Sequence, residues 1–349
     1  MPREPLVSII IPHHHGEEIL TNCLESLEKT TYANKEVLLV DNGSTDGSVS
    51  SAQARFPWIR VVQNAENLGY AGGCNAGIAQ ARGTYFLFLN NDTEFEPDWL
   101  SLLVTCCERD AQIAACQPKI LSLKDKRLFD YAGAAGGLLD RFGYPFARGR
   151  LFFRVEKDEG QYEEGGDIFW ASGTAMLVRK SALDEVGYFD DDFFAHMEEI
   201  DLCWRFHLTG YRVVVMPPAV VYHQAGSTLK PDSPLKIYLN HRNSLIMLLK
   251  NYQRSSLFWI FPGRLLLELM TLLYSGVKFD FVRVKAVCKA LIYVAFSFFR
   301  IMTKRSQVQR LRKVADSDIS KKMYRGSVAV DYFLRGVRRT QDLRLKACK

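Results

Sequence analysis

The chain has 349 residues, 48% of them hydrophobic and 24% charged. That balance excludes disordered, collagen-like and disulfide-stapled classes and suits one large domain, or one domain with an appendage. The net charge of +6 is uneven: residues 304–349 hold 14 Lys/Arg against 4 Asp/Glu, or +10, which leaves 31 basic and 35 acidic side chains, or −4, in residues 1–303.

In chain order, the start at Met1-Pro2-Arg3-Glu4-Pro5 has no signal-peptide pattern. Val7–Ile11 is a β-branched run ending at Pro12 and reads as a central parallel strand. His13, His14 and His15 follow; adjacent extended residues alternate faces, so three cannot converge on one metal, and a pocket-rim loop is expected. Glu17–Lys29 carries apolar residues at helical spacing. Glu36–Val40 is a second strand, and Asp41 at its end suits hydrogen bonding to a base or ribose. Ile59–Gln63 is a third strand. The glycine-rich stretch Asn67–Gly77 lets backbone approach a ligand, with a following helix offering N–H groups to an anion. It lacks the Gly-Lys-Ser/Thr ending of a P-loop.

Tyr85–Leu89 reads as a buried strand stopped by Asn90-Asn91-Asp92. An acid at that point can hold a hard cation, Mg²⁺ or Mn²⁺; the same three residues also suit a turn. A helix is expected from Pro97 to about Glu108. Four strand–helix alternations predict a doubly wound parallel sheet. A short strand at Ala114–Lys119 is followed by hairpins and loops over 121–166. Phe169–Arg179 is expected as one strand whose small residues Ser172 and Gly173 let a substrate approach.

Between Asp190 and Asp201 stand six acids, Asp190, Asp191, Asp192, Glu198, Glu199 and Asp201, interleaved with aromatic and apolar residues. Such acids can have raised pKa values and act as bases. A helix from Glu198 would pair Asp201 with Arg205 at i, i+4 and leave Glu198 or Glu199 facing the pocket. Strands at Tyr211–Met216 and Val220–Tyr222 follow, the second ending at His223, before Gln-Ala-Gly-Ser-Thr.

These motifs together resemble family 2 glycosyltransferases of the GT-A fold, most of all their rhamnosyltransferase-like branch, over residues 5–250. The resemblance implies an α/β fold with a mostly parallel nucleotide-binding sheet flanked by helices. It implies an inverting transfer from a nucleotide-sugar donor (dTDP-rhamnose first, UDP- or GDP-sugars next) to a glycan or lipid-linked acceptor. It assigns Pro12, His14, Asp41, Asn67, Gly69, Asn75, Asn91 and Arg242 to the donor, Ser172 and Gly173 to the acceptor, and Asp92 and His223 to Mn²⁺ or Mg²⁺. Glu199 falls where the family has the Asp of a Glu-Asp pair, so the base is Glu199 or its neighbour Glu198.

Residues 251–349 are expected as an amphipathic helical region and basic tail. Charges at Arg264, Glu268 and Lys278 interrupt its apolar runs, so helices lying in a membrane interface are expected rather than a spanning helix. The basic tail would meet anionic lipid headgroups; a packed appendage or a homodimer interface is the alternative. The acidic core carries no recognised nucleic-acid module. Eight cysteines without a Cys-x-x-Cys pair suggest a reducing cytoplasm, and with the tail a peripheral location at the inner face of the membrane. A nucleotidyltransferase would need a basic glycine-rich loop after the first strand, where this chain has His-His-His-Gly-Glu-Glu. The rival from another class is a non-catalytic nucleotide-sugar-binding or scaffold subunit.

Overall fold

The computed structural model describes residues 4–224 and 233–343. The Ala-Gly-Ser-Thr segment after Gln224, the first three residues and the last six of the basic tail, Cys348 among them, lie outside these.

The first half follows the expected alternation: β1 (Val7–His13), α1 (Glu17–Glu28), β2 (Lys35–Asp41), α2 (Ser48–Arg55), β3 (Ile59–Gln63), α3 (Gly69–Ile78), β4 (Tyr85–Leu89), β5 (Thr93–Phe95), α4 (Trp99–Arg109) and β6 (Ile113–Ser122). A small antiparallel sheet of β7 (Gly137–Leu139), β8 (Pro145–Ala147), β9 (Arg150–Leu151) and β10 (Arg154–Val155) then fills the region expected as hairpins. Next come β11 (Gly166–Asp167), β12 (Ala175–Arg179), α5 (Lys180–Val186), α6 (Glu198–Leu208) and β13 (Arg212–His223). The C-terminal helices are α7 (Pro234–Asn251), α8 (Arg254–Val277), α9 (Phe281–Phe296), α10 (Phe298–Leu311), α11 (Asp316–Ile319) and α12 (Val328–Phe333).

The main sheet runs β11-β13-β6-β12-β4-β1-β2-β3, with β5 on β13. It is mostly parallel but mixed: β12 is antiparallel to both β4 and β6, so β4 and β6 run the same way. Strand β4 is buried on both faces, as expected when helices cover both sides of a parallel sheet.

Three local expectations change. The glycine-rich stretch is itself helix α3, not a loop ahead of one. A Cβ on Gly77 would lie 2.4 Å from Ile10 Cγ2, so the absent side chain is what seats α3 on β1. The strand expected over Phe169–Arg179 starts only at Ala175, and Gly173 sits in the turn before it. The two strands expected on either side of Pro217-Pro218 are one, β13, with a register shift between Met216 and Val220 that absorbs the missing N–H donors.

The approach to α6 is strained. Phe194, His196 and Met197 have φ of 61°, 68° and 74°, a region costly for residues with a Cβ. One side chain of α7 holds this turn: Asn243 Nδ2 donates to the carbonyls of Phe193 (2.9 Å), Ala195 (3.0 Å) and His196 (2.7 Å). From the other side, Ala71 N donates to Phe194 O at 3.2 Å. Gly69 lies so close to that oxygen that a Cβ there would be 2.3 Å from it. Replacing Asn243 by Ala strands buried carbonyls, so it is expected to destabilise the protein by about 2–3 kcal/mol in urea unfolding; a loss below about 0.5 kcal/mol would remove Asn243 as the clamp.

Candidate active site

Because β1, β2, β4, β6 and β13 run the same way, their C-terminal ends share one edge, where open α/β sheets bind ligands. Register places His13 beside Asp41, and Ala175, the first residue of the antiparallel β12, beside Leu89. Pro12, Asp41, Asn90–Asp92, Ser172–Gly173 and His223 therefore come to one edge from five separate stretches of chain.

At the centre is an ion cluster that the sequence only half reveals. His223 Nε2 lies 3.1 Å from Asp92 Oδ1, and its Nδ1 lies 2.8 Å from Asp130 Oδ1. All three side chains are buried. Burial opposes a charge on His223, but Asp92 and Asp130 outweigh it and push the imidazole up to about 10. An imidazolium is thus clamped between two carboxylates. Asp130 also accepts from Ala132 N at 2.7 Å, which fixes its orientation. It was missed because it lies in a stretch without periodicity; only its pairing across Leu121–Phe129 carries it to the end of β13.

Asn91 Nδ2 donates to His13 Nδ1 at 2.7 Å, and the other ring nitrogen meets Ser48 Oγ at 2.8 Å. Burial lowers His13 to about 4, so it is neutral, donating from Nε2 to Ser48. The expected loop begins only after His13, which is the buried last residue of β1; His14 and His15 are exposed, with His14 Nδ1 meeting Asn42 O and His15 meeting Thr45. Asp41 accepts from Ser44 N (2.7 Å) and Gln63 Nε2 (2.8 Å). Burial raises its pKa, but these hydrogen bonds more than offset that and leave it low, so Asp41 is a carboxylate.

Four of the six acids between Asp190 and Asp201 are taken up. Asp201 pairs with Arg205 (3.1 Å), as expected, and with Lys250 (3.0 Å). Asp190 pairs with Lys250 and Lys304, and Asp192 with Arg300 and Lys304. Asp191 accepts from Asn75 Nδ2 at 2.6 Å. Glu198 and Glu199, like Asp191, have no cation among the described residues, and unlike Asp191 each has a buried Oε2 without a hydrogen-bond partner. Burial raises both, Glu198 further through its neighbour's charge and Glu199 to about 7. Tyr70 feels the pair electrostatically: burial first, then the charges of Cys74, Glu198 and Glu199, raise its pKa, and its hydroxyl donates to Gly173 O (2.6 Å) at the sheet edge.

Other expected donor and acceptor contacts are occupied. Arg242 is buried, and its Nη2 donates to the carbonyls of Asp192 (2.6 Å) and Phe193 (3.1 Å), so it braces the acidic loop instead of reaching out to a diphosphate. Asn75 braces the same loop through Phe189. The Ser172 hydroxyl donates to Ala132 O at 2.6 Å, which leaves backbone to face a ligand there. Asn67 accepts from Gly69 N at 2.9 Å and shapes the start of α3.

No cluster of three or more His, Cys, Asp or Glu side chains suited to a metal exists among the described residues. The spacing of Asp92 Oδ1 and His223 Nε2 nevertheless suits a cation that displaces the Nε2 proton: 3.1 Å is close to the roughly 3 Å between neighbouring ligands of an octahedral ion with bonds near 2.1 Å. Behind them, Asp130 on the far ring nitrogen supplies the outer partner that metal-binding histidines use.

The sequence model of "Glycosyl transferase family 2" matches residues 8–187. An N-acetylglucosaminyl-diphospho-decaprenol L-rhamnosyltransferase of Mycobacterium tuberculosis (strain CDC 1551 / Oshkosh) is 28% identical over 294 residues, covering 78% of this chain and 94% of that protein. A poly-beta-1,6-N-acetyl-D-glucosamine synthase of Staphylococcus aureus (strain COL) is 24% identical, covering 64% of this chain and 51% of its own length. Among solved structures, the mannosyltransferase PcManGT from Pyrobaculum calidifontis in complex with GDP-Man and Mn²⁺ has a TM-score of 0.52 at 15% identity over 96% of this chain and 89% of that one. GalNAc-T7 with UDP, GalNAc and Mn²⁺ has a TM-score of 0.59 at 16% identity over 76% of this chain, which spans about half (51%) of that one. These two likenesses bear on the fold, which is GT-A. The family match extends over more than half of the residues and includes the ends of β1, β2 and β4. The chain belongs to glycosyl transferase family 2.

Proposed function

We propose that the protein is an inverting glycosyltransferase of surface-polysaccharide synthesis. It moves a sugar, rhamnose in the first instance, from a nucleoside-diphosphate donor to a hydroxyl of a lipid-linked glycan. The observation that carries the chemistry is the pair of buried, uncompensated carboxyls, Glu198 and Glu199, whose charges reach Tyr70, itself hydrogen-bonded to Gly173 at the strand-end edge. The sugar and acceptor rest on the printed name of the mycobacterial relative, which this chain matches over nearly its whole length. UDP- and GDP-sugars are the alternatives, as the two solved structures carry UDP and GDP-Man.

In this reading Asp41 hydrogen-bonds the base or ribose. Asp92 and His223 hold Mn²⁺ or Mg²⁺, which when bound neutralises charge on the leaving diphosphate. Glu199 accepts the acceptor's hydroxyl proton as that oxygen attacks the anomeric carbon, and the bond to the diphosphate breaks on the opposite face. A single displacement inverts the centre. A base with a pKa near 7 combines adequate basicity with a useful deprotonated fraction. Protonated Glu198 beside it avoids two adjacent anions in a buried site.

The C-terminal helices suggest where this happens. Among the described residues α8 is long and apolar enough to cross a membrane, and α9 with α10, bent by 70°, passes the same test as a pair. Length and composition therefore admit a spanning helix beside the interfacial helices expected from the charge interruptions. Arg264 and Glu268 pair with each other at 2.6 Å and are buried, Glu268 also meeting His241 on α7 at 2.6 Å, so neither interrupts the outer face. Residues 254–310 carry 10 Lys/Arg against 2 Asp/Glu, or +8, and both acids are paired internally. Apolar side chains such as Trp259 (78% exposed) and Phe296 (88%) stand outward. A helix docked on α7 with an apolar, cationic exterior fits the cytoplasmic face of an anionic membrane, with the helices lying in the interface.

Asp92→Ala and Glu199→Gln are each expected to lower transfer by at least about a hundredfold with the fold intact, read as product from labelled nucleotide-sugar with Mn²⁺; near-normal activity in both would sink the proposal. Glu199→Gln has a second, opposite signature. A carboxyl raised from its ordinary value to about 7 keeps its full stability below pH 4.5 and loses it as pH rises through 7. Glu199→Gln is therefore expected to raise Tm relative to the parent at pH 8 and not at pH 4.5; the same difference at both pH values would show that Glu199 is not held protonated. For Asp130→Asn, Mn²⁺ affinity in the presence of nucleoside diphosphate should fall roughly 10- to 100-fold, with a changed His223 ¹⁵N signature. An unaltered affinity would reduce Asp130 to packing.

A further inference from the structure

Where the first turn of α8 meets the outer face of α10, a groove of about 560 Å³ is lined by Gln253, Arg254, Arg305, Ser306, Gln309 and Arg310, with Met302 as its apolar wall. It lies on different elements from the strand-end site. No carboxylate lines it. Arg254 and Arg310 are exposed, and neither has an ion-pair partner among the described residues. Arg305 is buried and donates to Leu249 O. Burial and the positive charges of Arg254 and Arg312 all weigh against its charge. Arg312 by contrast is neutralised by Asp316 at 2.9 Å. Three guanidinium groups around one open space repel each other unless an anion enters, and their planar forks suit phosphate oxygens.

The rim indicates what carries the phosphate. Arg254 and Phe258 are i, i+4 on one stripe of α8, with Trp259 next to them, and Phe299 lies one turn before Met302 on α10. Phe258 is 70% and Phe299 85% exposed. A soluble phosphate or nucleotide has no use for exposed aromatics a turn from its charge, whereas a lipid presents its phosphate on an apolar body.

We propose that this groove binds the phosphate headgroup of an anionic membrane lipid through Arg254, Arg305 and Arg310. The proposal rests on the membrane-interface reading above and deepens it: a defined headgroup seat would fix the depth and rotation of α8 and α10 at the bilayer, which diffuse charge cannot do. It is independent of the identity of the sugar.

The test is calorimetric titration of the full-length protein with dihexanoylphosphatidylglycerol below its micelle concentration, where no charged surface exists. The expected result is saturable 1:1 binding that weakens at least tenfold in Arg254→Gln/Arg310→Gln. It should stay within twofold in Lys278→Gln/Lys285→Gln, which removes the same charge from the exposed α8–α9 region. Equal weakening in both double variants, no saturable binding, or equally tight binding of inorganic phosphate would each overturn the proposal. Flotation with phosphatidylcholine vesicles containing phosphatidylglycerol separates the two levels. Flotation without 1:1 lipid binding removes the headgroup site and keeps the interface, and absence of flotation removes both.

Discussion

The site depends on an unequal distribution of countercharge. Between Asp190 and Asp201 six carboxyls crowd into twelve residues, and cations from α6, α7 and α10 neutralise three of them while an amide takes a fourth. Glu198 and Glu199 receive no cation, only backbone hydrogen bonds that burial outweighs, and burial without countercharge is what raises a carboxyl toward neutrality. The same cations that quench the other acids tie α7 and α10 to the acidic loop. The C-terminal helices are therefore part of how the site is built, not only a means of locating it.

Backbone strain delivers the pair. The chain enters α6 through three positive φ values, at Phe194, His196 and Met197, immediately before Glu198. The Asn243 amide, the Arg242 guanidinium and the close approach of Gly69 together make the strained path the one that satisfies its carbonyls. Strain held by several independent contacts at a functional site fits the general pattern. It gives Arg242 and Asn75 a mechanical task in place of a ligand-binding one.

The Asp92–His223–Asp130 cluster applies the opposite logic. Here one imidazolium between two carboxylates offsets one of their two negative charges. Along α8 the compensation is internal as well: Arg264 and Glu268 cancel on the buried face, so the outer surface is more apolar than the residue count suggests. In both places the meaning of a charged residue depends on its partner.

Local pattern carried much of the architecture. Strand–helix alternation and abrupt strand ends at Asp41, Asn90-Asn91-Asp92 and His223 were readable because a parallel sheet brings its C-terminal ends to one edge whatever the intervening loops do. The i, i+4 pairing of Asp201 with Arg205 was readable for the same local reason. Tertiary structure alone decided the rest. Asp190 finds Lys250 and Lys304 at separations of 60 and 114 residues, and Asp130 finds His223 at 93. Asn243 reaches back 47 to 50 residues to hold the turn before Glu198. Such contacts leave no periodicity in the chain, since periodicity records which face is buried and not which distant charge or carbonyl meets it there. The sequence determined the sheet and its reactive edge; the packing of α7, α8 and α10 decided which acids stay uncompensated and which apolar face stays outside.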